Sequence, residues 1–133
     1  MIAAPAKEWI EPDGEGGFAS GTAAGYRTRR YHALLLVAAS ERFVLVNGLE
    51  AWIDLDGGTF ALSTQHYAPD VLHPRGLDHL TAFTADPWPR WTYALPGGTA
   101  IAHEIVVTAQ GAACAWRRIA GSGRAVLGVR PLL

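Results

Sequence analysis

The chain has 133 residues, which suits one domain, and half of them are apolar, enough for a core without disulfides or metal. Eleven basic against twelve acidic residues leave a net charge of −1, which excludes a field that would attract nucleic acid or an anionic membrane. The single cysteine, Cys114, excludes an internal disulfide, and no run approaches the ~20 apolar residues of a membrane span. Ten of the eleven basic residues are arginine and they are scattered, which reads as base composition and not as a binding patch. Cys114 sits in Ala112-Ala113-Cys114-Ala115-Trp116, the setting of a buried space-filling thiol. The start, Met1-Ile2-Ala3-Ala4-Pro5-Ala6-Lys7-Glu8, lacks the basic and apolar regions of a signal peptide, so the chain reads as soluble and cytoplasmic.

Helix signals are almost absent, and apolar residues recur with a period near two or in short continuous runs. His32–Val37 and Arg42–Val46 are the first two such runs. Asn47-Gly48 is a type I′ turn signal, after which Glu50, Trp52 and Asp54 alternate with Ala51, Ile53 and Leu55. Asp56-Gly57-Gly58 predicts a second hairpin into Thr59–Leu62. The stretch from Ser63 to Leu80 holds Pro69, Pro74 and Gly76 without a clean period, and reads as a long ordered loop. Trp91–Leu95 and Ala100–Thr108 flank Pro96-Gly97-Gly98, with Ile101, His103, Ile105 and Val107 on one face. Ala113–Ile119 alternates again, and Gly121-Ser122-Gly123 turns the chain into Arg124–Val129. Turn signals every eight to twelve residues predict an antiparallel β-sandwich, all-β, in a single domain over residues 1–133.

The candidate motifs are weak one by one. Gly14-Glu15-Gly16-Gly17-Phe18-Ala19 formally matches a dinucleotide fingerprint but lacks the preceding strand and following helix that chemistry needs. His66, Asp70, His73, Asp78 and His79 are close in sequence, yet their spacings fit neither a zinc helix nor a zinc ribbon, so no metal and no cofactor is expected. Twelve acidic residues are available for glycoside chemistry, but their separation in space decides that role. No nucleophile elbow is present, and no catalytic residue is assigned. Pro87-Trp88-Pro89-Arg90-Trp91 holds indoles on a backbone poor in donors, suited to stacking on sugar rings; the plainer reading buries Trp91 and leaves Trp88 covering a sheet edge. Arg29 and Arg30, beside Tyr31 and His32, need acceptors, and at least one of the two is expected to be buried. Glu50 or Glu15 would serve as its partner.

Taken in order, several motifs resemble one family. They are Glu8-Trp9, Asp13-Gly14-Glu15-Gly16-Gly17-Phe18-Ala19-Ser20-Gly21-Thr22 and Thr28-Arg29-Arg30-Tyr31-His32-Ala33-Leu34-Leu35, followed by Asn47-Gly48-Leu49-Glu50, Leu62-Ser63-Thr64, Tyr67, His73-Pro74-Arg75-Gly76, Pro87-Trp88-Pro89, Trp91 and Arg130-Pro131-Leu132. Together they resemble the opening of the bacterial and archaeal glycogen debranching enzymes, the amylo-α-1,6-glucosidases, over nearly the whole chain. Asp13 stands where the family usually has Asn, and Ala33 where it usually has Gly. The resemblance implies a supersandwich-like domain, incomplete at its C-terminus or cut there, in front of an (α/α) helical toroid that holds the catalytic carboxylates and is not present in this chain. It implies an inactive accessory domain bordering the cleft for branched α-glucan or malto-oligosaccharide. Trp88, Trp91, His66, Tyr67, His73 and Arg75 would face the substrate, and Arg29, Arg30, Tyr31, His32 and Glu50 a domain interface or a structural cluster. The helical domain, or a second copy of the chain, is the expected partner. A free-standing carbohydrate-binding module and a purely structural or oligomerising sandwich are the other two readings.

Overall fold

A computed structural model describes residues 2–133, and it is built from antiparallel strands. In chain order they are β1 (Glu8–Pro12), β2 (Phe18–Thr22), β3 (Ala33–Ala38), β4 (Arg42–Val46), β5 (Gly48–Leu55), β6 (Gly58–Ala61), β7 (Thr64–Tyr67) and β8 (Val71–Arg75). A 3-10 turn over Gly76–His79 leads to β9 (Leu80–Thr84), β10 (Arg90–Ala94), β11 (Ala100–Thr108), β12 (Gly111–Ala120) and β13 (Ala125–Leu132). Strands β1 to β4 form one meander and β9 to β12 another, β5 pairs with both β6 and β13, and β7 with β8. The all-β, sandwich-like expectation holds.

The core forms where the inward faces of these sheets meet. Alternation puts Trp9 of β1 and Ala19 of β2 inward, against Ala51 and Ile53 of β5 and Trp91, Tyr93, Ile101 and Ile105 of β10 and β11. Across β9 to β12 the register aligns Phe83 with Trp91, Trp91 with His103, and His103 with Trp116. Their ring centroids are 5.1, 5.2 and 4.3 Å apart, so one aromatic ladder crosses the whole sheet. Trp9 meets this ladder from the other layer, edge-on to Trp91 at 5.5 Å. Both indoles then anchor the same piece of backbone. Trp9 Nε1 donates to the Thr22 carbonyl (3.3 Å) and Trp91 Nε1 to the Ala23 carbonyl (2.9 Å), just where β2 ends. His103 donates from Nδ1 to the Ala115 carbonyl at 3.0 Å, and its burial pushes its pKa down to about 4. Cys114 packs against the same core, and burial pushes its thiol up to about 11, which suits filling space and not nucleophilic chemistry.

Three details differ from the sequence reading. Asn47-Gly48 is not a hairpin turn: β4 and β5 belong to different sheets. Asn47 instead receives a hydrogen bond from Leu34 N–H on its carbonyl (3.2 Å) and donates to the Leu132 carbonyl (2.8 Å), so the chain switches sheets there. Ser63–Leu80 is no loop but the β7–β8 hairpin and the 3-10 turn, because exposed polar strands carry no apolar period to detect. The Gly-rich stretch, read as lacking a preceding strand, does follow one: it is the loop of the β1–β2 hairpin, with a strand and not a helix after it. Asp13 Oδ1 accepts from Glu15 N–H (2.6 Å) and Gly17 N–H (3.0 Å), and a Cβ at Gly17 would fall 2.5 Å from the Leu36 carbonyl oxygen. By contrast, Asp56-Gly57 makes the two-residue hairpin expected between β5 and β6. On the far side of β5, the Trp52 ring lies across β13, and a Cβ at Gly128 would stand 2.2 Å from it.

The ladder yields two expectations. Trp91→Ala should cost about 3–5 kcal/mol of stability, as large core truncations do, while the exposed Trp88→Ala stays within about 0.5 kcal/mol; chemical denaturation of the two variants checks this. The fold favours neutral His103, so that contribution is complete above pH 6.5 and is lost as the pH falls towards 4. His103→Phe should flatten the stability–pH slope across that window in thermal melts.

Candidate functional site

Directly paired residues of neighbouring strands share a face, so the alternation that turns Trp9 and Ala19 inward turns Glu8, Ile10, Phe18 and Ser20 outward. The segment Arg29–His32, between β2 and β3, closes over that outer face. Together these residues line an open pocket of about 700 Å³, with Trp9 and Ile10 among its apolar contributors. Its position follows from the core, because the two indole N–H groups hold the chain at Thr22 and Ala23, where it leaves β2 for Arg29–His32.

Glu8 organises the polar half of the pocket. Its carboxylate takes the Arg29 fork bidentately, Oε1 from Nε and Oε2 from an Nη at 3.0 Å. Oε1 also lies 2.8 Å from His32 Nε2. Thr28 N–H donates to His32 Nδ1 at 3.1 Å, so Nδ1 carries no proton and Nε2–H is the donor to Glu8. The His32 ring is buried, whereas the Arg29 side chain is 70% exposed. The Arg29 hydrogen bond is the largest influence on Glu8 and holds its carboxyl below the ordinary 4.5. Ser20 Oγ donates to the Tyr31 carbonyl (3.1 Å), and the Arg30 guanidinium carbon stands 5.3 Å from the Tyr31 ring centroid. Tyr31 is 39% exposed.

The expected burial of Arg29 or Arg30 does not hold, since both are exposed and Arg29 is paired with Glu8. The half-buried member of this segment is Arg27, which bonds Asn47 Oδ1 and the Arg30 carbonyl. Glu50 does not serve the segment either; it pairs with Arg130 across β5 and β13. Trp91, at 3% exposure, lies in the core, so no Trp88–Trp91 platform faces solvent. Trp88 is itself exposed at 39%. His66 and Tyr67 lie on β7 and His73 and Arg75 on β8, all exposed. His66 Nε2 is 2.8 Å from Asp70, its ring packs edge-on to Tyr26 at 5.8 Å, and Arg75 is paired with Asp78. These side chains line neither the pocket nor a metal centre; among the described residues no group of three His, Cys, Asp or Glu could hold an ion. Sequence reading missed the contribution of Glu8, Ile10, Phe18 and Ser20. Glu8 lies 24 residues from His32, and the pairings of β1 with β2 and of β2 with β3 bring them together.

Compared with known families, residues 7–133 match the one described as the N-terminal part of glycogen debranching enzyme. The chain belongs to that family. No curated protein and no solved structure matches it. Among the described residues of this debranching-enzyme domain no helix is long and apolar enough to cross a membrane.

The Glu8–Arg29 pair makes a direct prediction. The Glu8 carboxyl should titrate below 4.5, and Arg29→Ala should move it back up, as followed by side-chain carbon NMR. Because the depressed carboxyl favours its charged form, any stability it contributes is present above pH 4.5 and fades as the pH falls through its folded value. Arg29→Ala, which removes only the exposed partner, should leave the melting temperature nearly unmoved.

Proposed function

We propose that this domain is the non-catalytic, glucan-facing part of a glycogen debranching enzyme that acts in the cytoplasm. It would dock on a helical domain that carries the catalytic carboxylates. The observation that carries the reading is the family match over residues 7–133. The carboxyls themselves support the non-catalytic role. Glycoside hydrolysis needs a carboxylic acid kept protonated opposite a second carboxylate. Glu8, the carboxyl in the pocket, is instead held in its charged form by Arg29. Glu11 is raised, by burial and then by Asp86, but it does not line the pocket.

Strand β13 supports docking. Val126, Leu127 and Val129 are exposed on it, and it has one strand partner, β5. A strand left so open is suited to being covered, and the helical domain of the same enzyme is the proposed cover. Trp88 and the β7–β8 hairpin would border the glucan cleft from this side. The pocket beside Glu8 favours a second reading, a carbohydrate-binding module able to act alone, since it is concave, part apolar and part polar.

The purified chain should release no glucose from branched limit dextrin, while the enzyme containing both domains does. Turnover by the chain alone that disappears in Glu11→Gln or Glu8→Gln would overturn the non-catalytic role.

A further inference from the structure

We infer that the pocket between the outer face of β1–β2 and Arg29–His32 is a binding site for a neutral saccharide, one or a few units of an α-glucan. The inference rests on the carbohydrate reading above and names the place where this domain meets its ligand.

The pocket's size is within the range that encloses small ligands, about 300–1,000 Å³. Its make-up matches a sugar ring, which presents C–H faces and a girdle of hydroxyls. Ile10 and Phe18 supply apolar surface, and Tyr31 adds an exposed aromatic ring. Arg29 supplies the donors. A guanidinium carries five N–H groups, and Glu8 engages Nε and one Nη. The remaining N–H groups belong to a side chain that is 70% exposed yet held in one orientation by a bidentate partner. Donors fixed before the ligand arrives lose less freedom on binding than a free surface arginine would. The backbone beneath is fixed as well, by Ser20 on the Tyr31 carbonyl and by Thr28, His32 and Glu8 in a connected row.

The Glu8 carboxylate argues for a neutral ligand over an anion. It offsets Arg29, the His32 ring carries no charge in the tautomer the hydrogen bonds select, and Arg30, set over the Tyr31 ring, is the cation of the lining left without an acidic partner. A phosphate or carboxylate entering the pocket would meet the Glu8 carboxylate together with apolar surface. A hydroxyl, which both donates and accepts, can use Arg29 and Glu8 alike.

The test is an NMR titration of the isotope-labelled 133-residue chain with glucose, maltotriose and, separately, inorganic phosphate. Sugar is taken to tens of millimolar, roughly tenfold above the concentration that half-fills a millimolar site. Maltotriose should shift the amides of residues 8–10, 18–20 and 29–32 and the Arg29 Nε–H signal. Tyr31→Ala and Arg29→Gln should each weaken binding at least about tenfold, and Arg29→Gln changes an exposed side chain that the fold can spare. Shifts confined to Trp88 and residues 64–75 would leave the glucan-facing domain in place and overturn this pocket as its site. Shifts from phosphate without shifts from maltotriose would make it an anion site and overturn the inference. No shift from any saccharide would overturn it too, whether or not the two-domain enzyme cleaves glucan.

Discussion

The aromatic ladder across β9–β12 and the edge-on meeting of Trp9 with Trp91 constrain more of this structure than any other contact. Four rings in register hold four strands together on one face. The edge-on pair joins that sheet to the β1–β4 meander, where an aromatic contact adds about 0.5–1.5 kcal/mol beyond burial alone. An indole buried in a core still carries one N–H that needs an acceptor. Trp9 and Trp91 both find theirs at the end of β2, in the Thr22 and Ala23 carbonyls. The packing of the interior thereby fixes where the next segment of chain begins.

That next segment runs to Arg29–His32 and forms one wall of the surface pocket. Its polar row, Thr28 to His32 to Glu8 to Arg29, mixes a buried imidazole with an exposed guanidinium. The imidazole ties the row to the fold, while the guanidinium keeps unspent donors in solvent. Such a division is useful at a recognition site, where groups have to be rigid and reachable at once. It also explains why Glu8 stays charged. Its strongest contact is a cation, and a carboxylate so engaged makes a poor proton donor.

The surface at β13 has a different character. Strand β13 is anchored by its ladder to β5 and by the Trp52 ring lying against Gly128, yet its Val126, Leu127 and Val129 side chains are exposed. Pocket and open strand are therefore separate surfaces, one concave and mixed in polarity, the other an extended apolar strand. The first suits a small polar ligand and the second a protein surface.

The residues alone determined the all-β class, most strand positions, the Asp56-Gly57 hairpin and the family, because period-two alternation, turn glycines and ordered motifs are local properties of the chain. The same local view misread Asn47-Gly48 as a hairpin and Ser63–Leu80 as a loop. Nothing nearby in sequence reports a switch between sheets, or a pair of strands whose side chains are polar or exposed. It left Trp91 open between core and sugar platform, and the choice was made by Trp9, Phe83 and His103 packing around it. It also assigned Arg29 or Arg30 to the interior and looked to Glu50 or Glu15 as partner. Only the antiparallel pairings of β1 with β2 and of β2 with β3 could bring Glu8 to Arg29 and His32, and only the pairing of β5 with β13 could turn Glu50 to Arg130. Charged partners are chosen by distance in space, and a strand pairing converts a separation of more than twenty residues into a hydrogen bond.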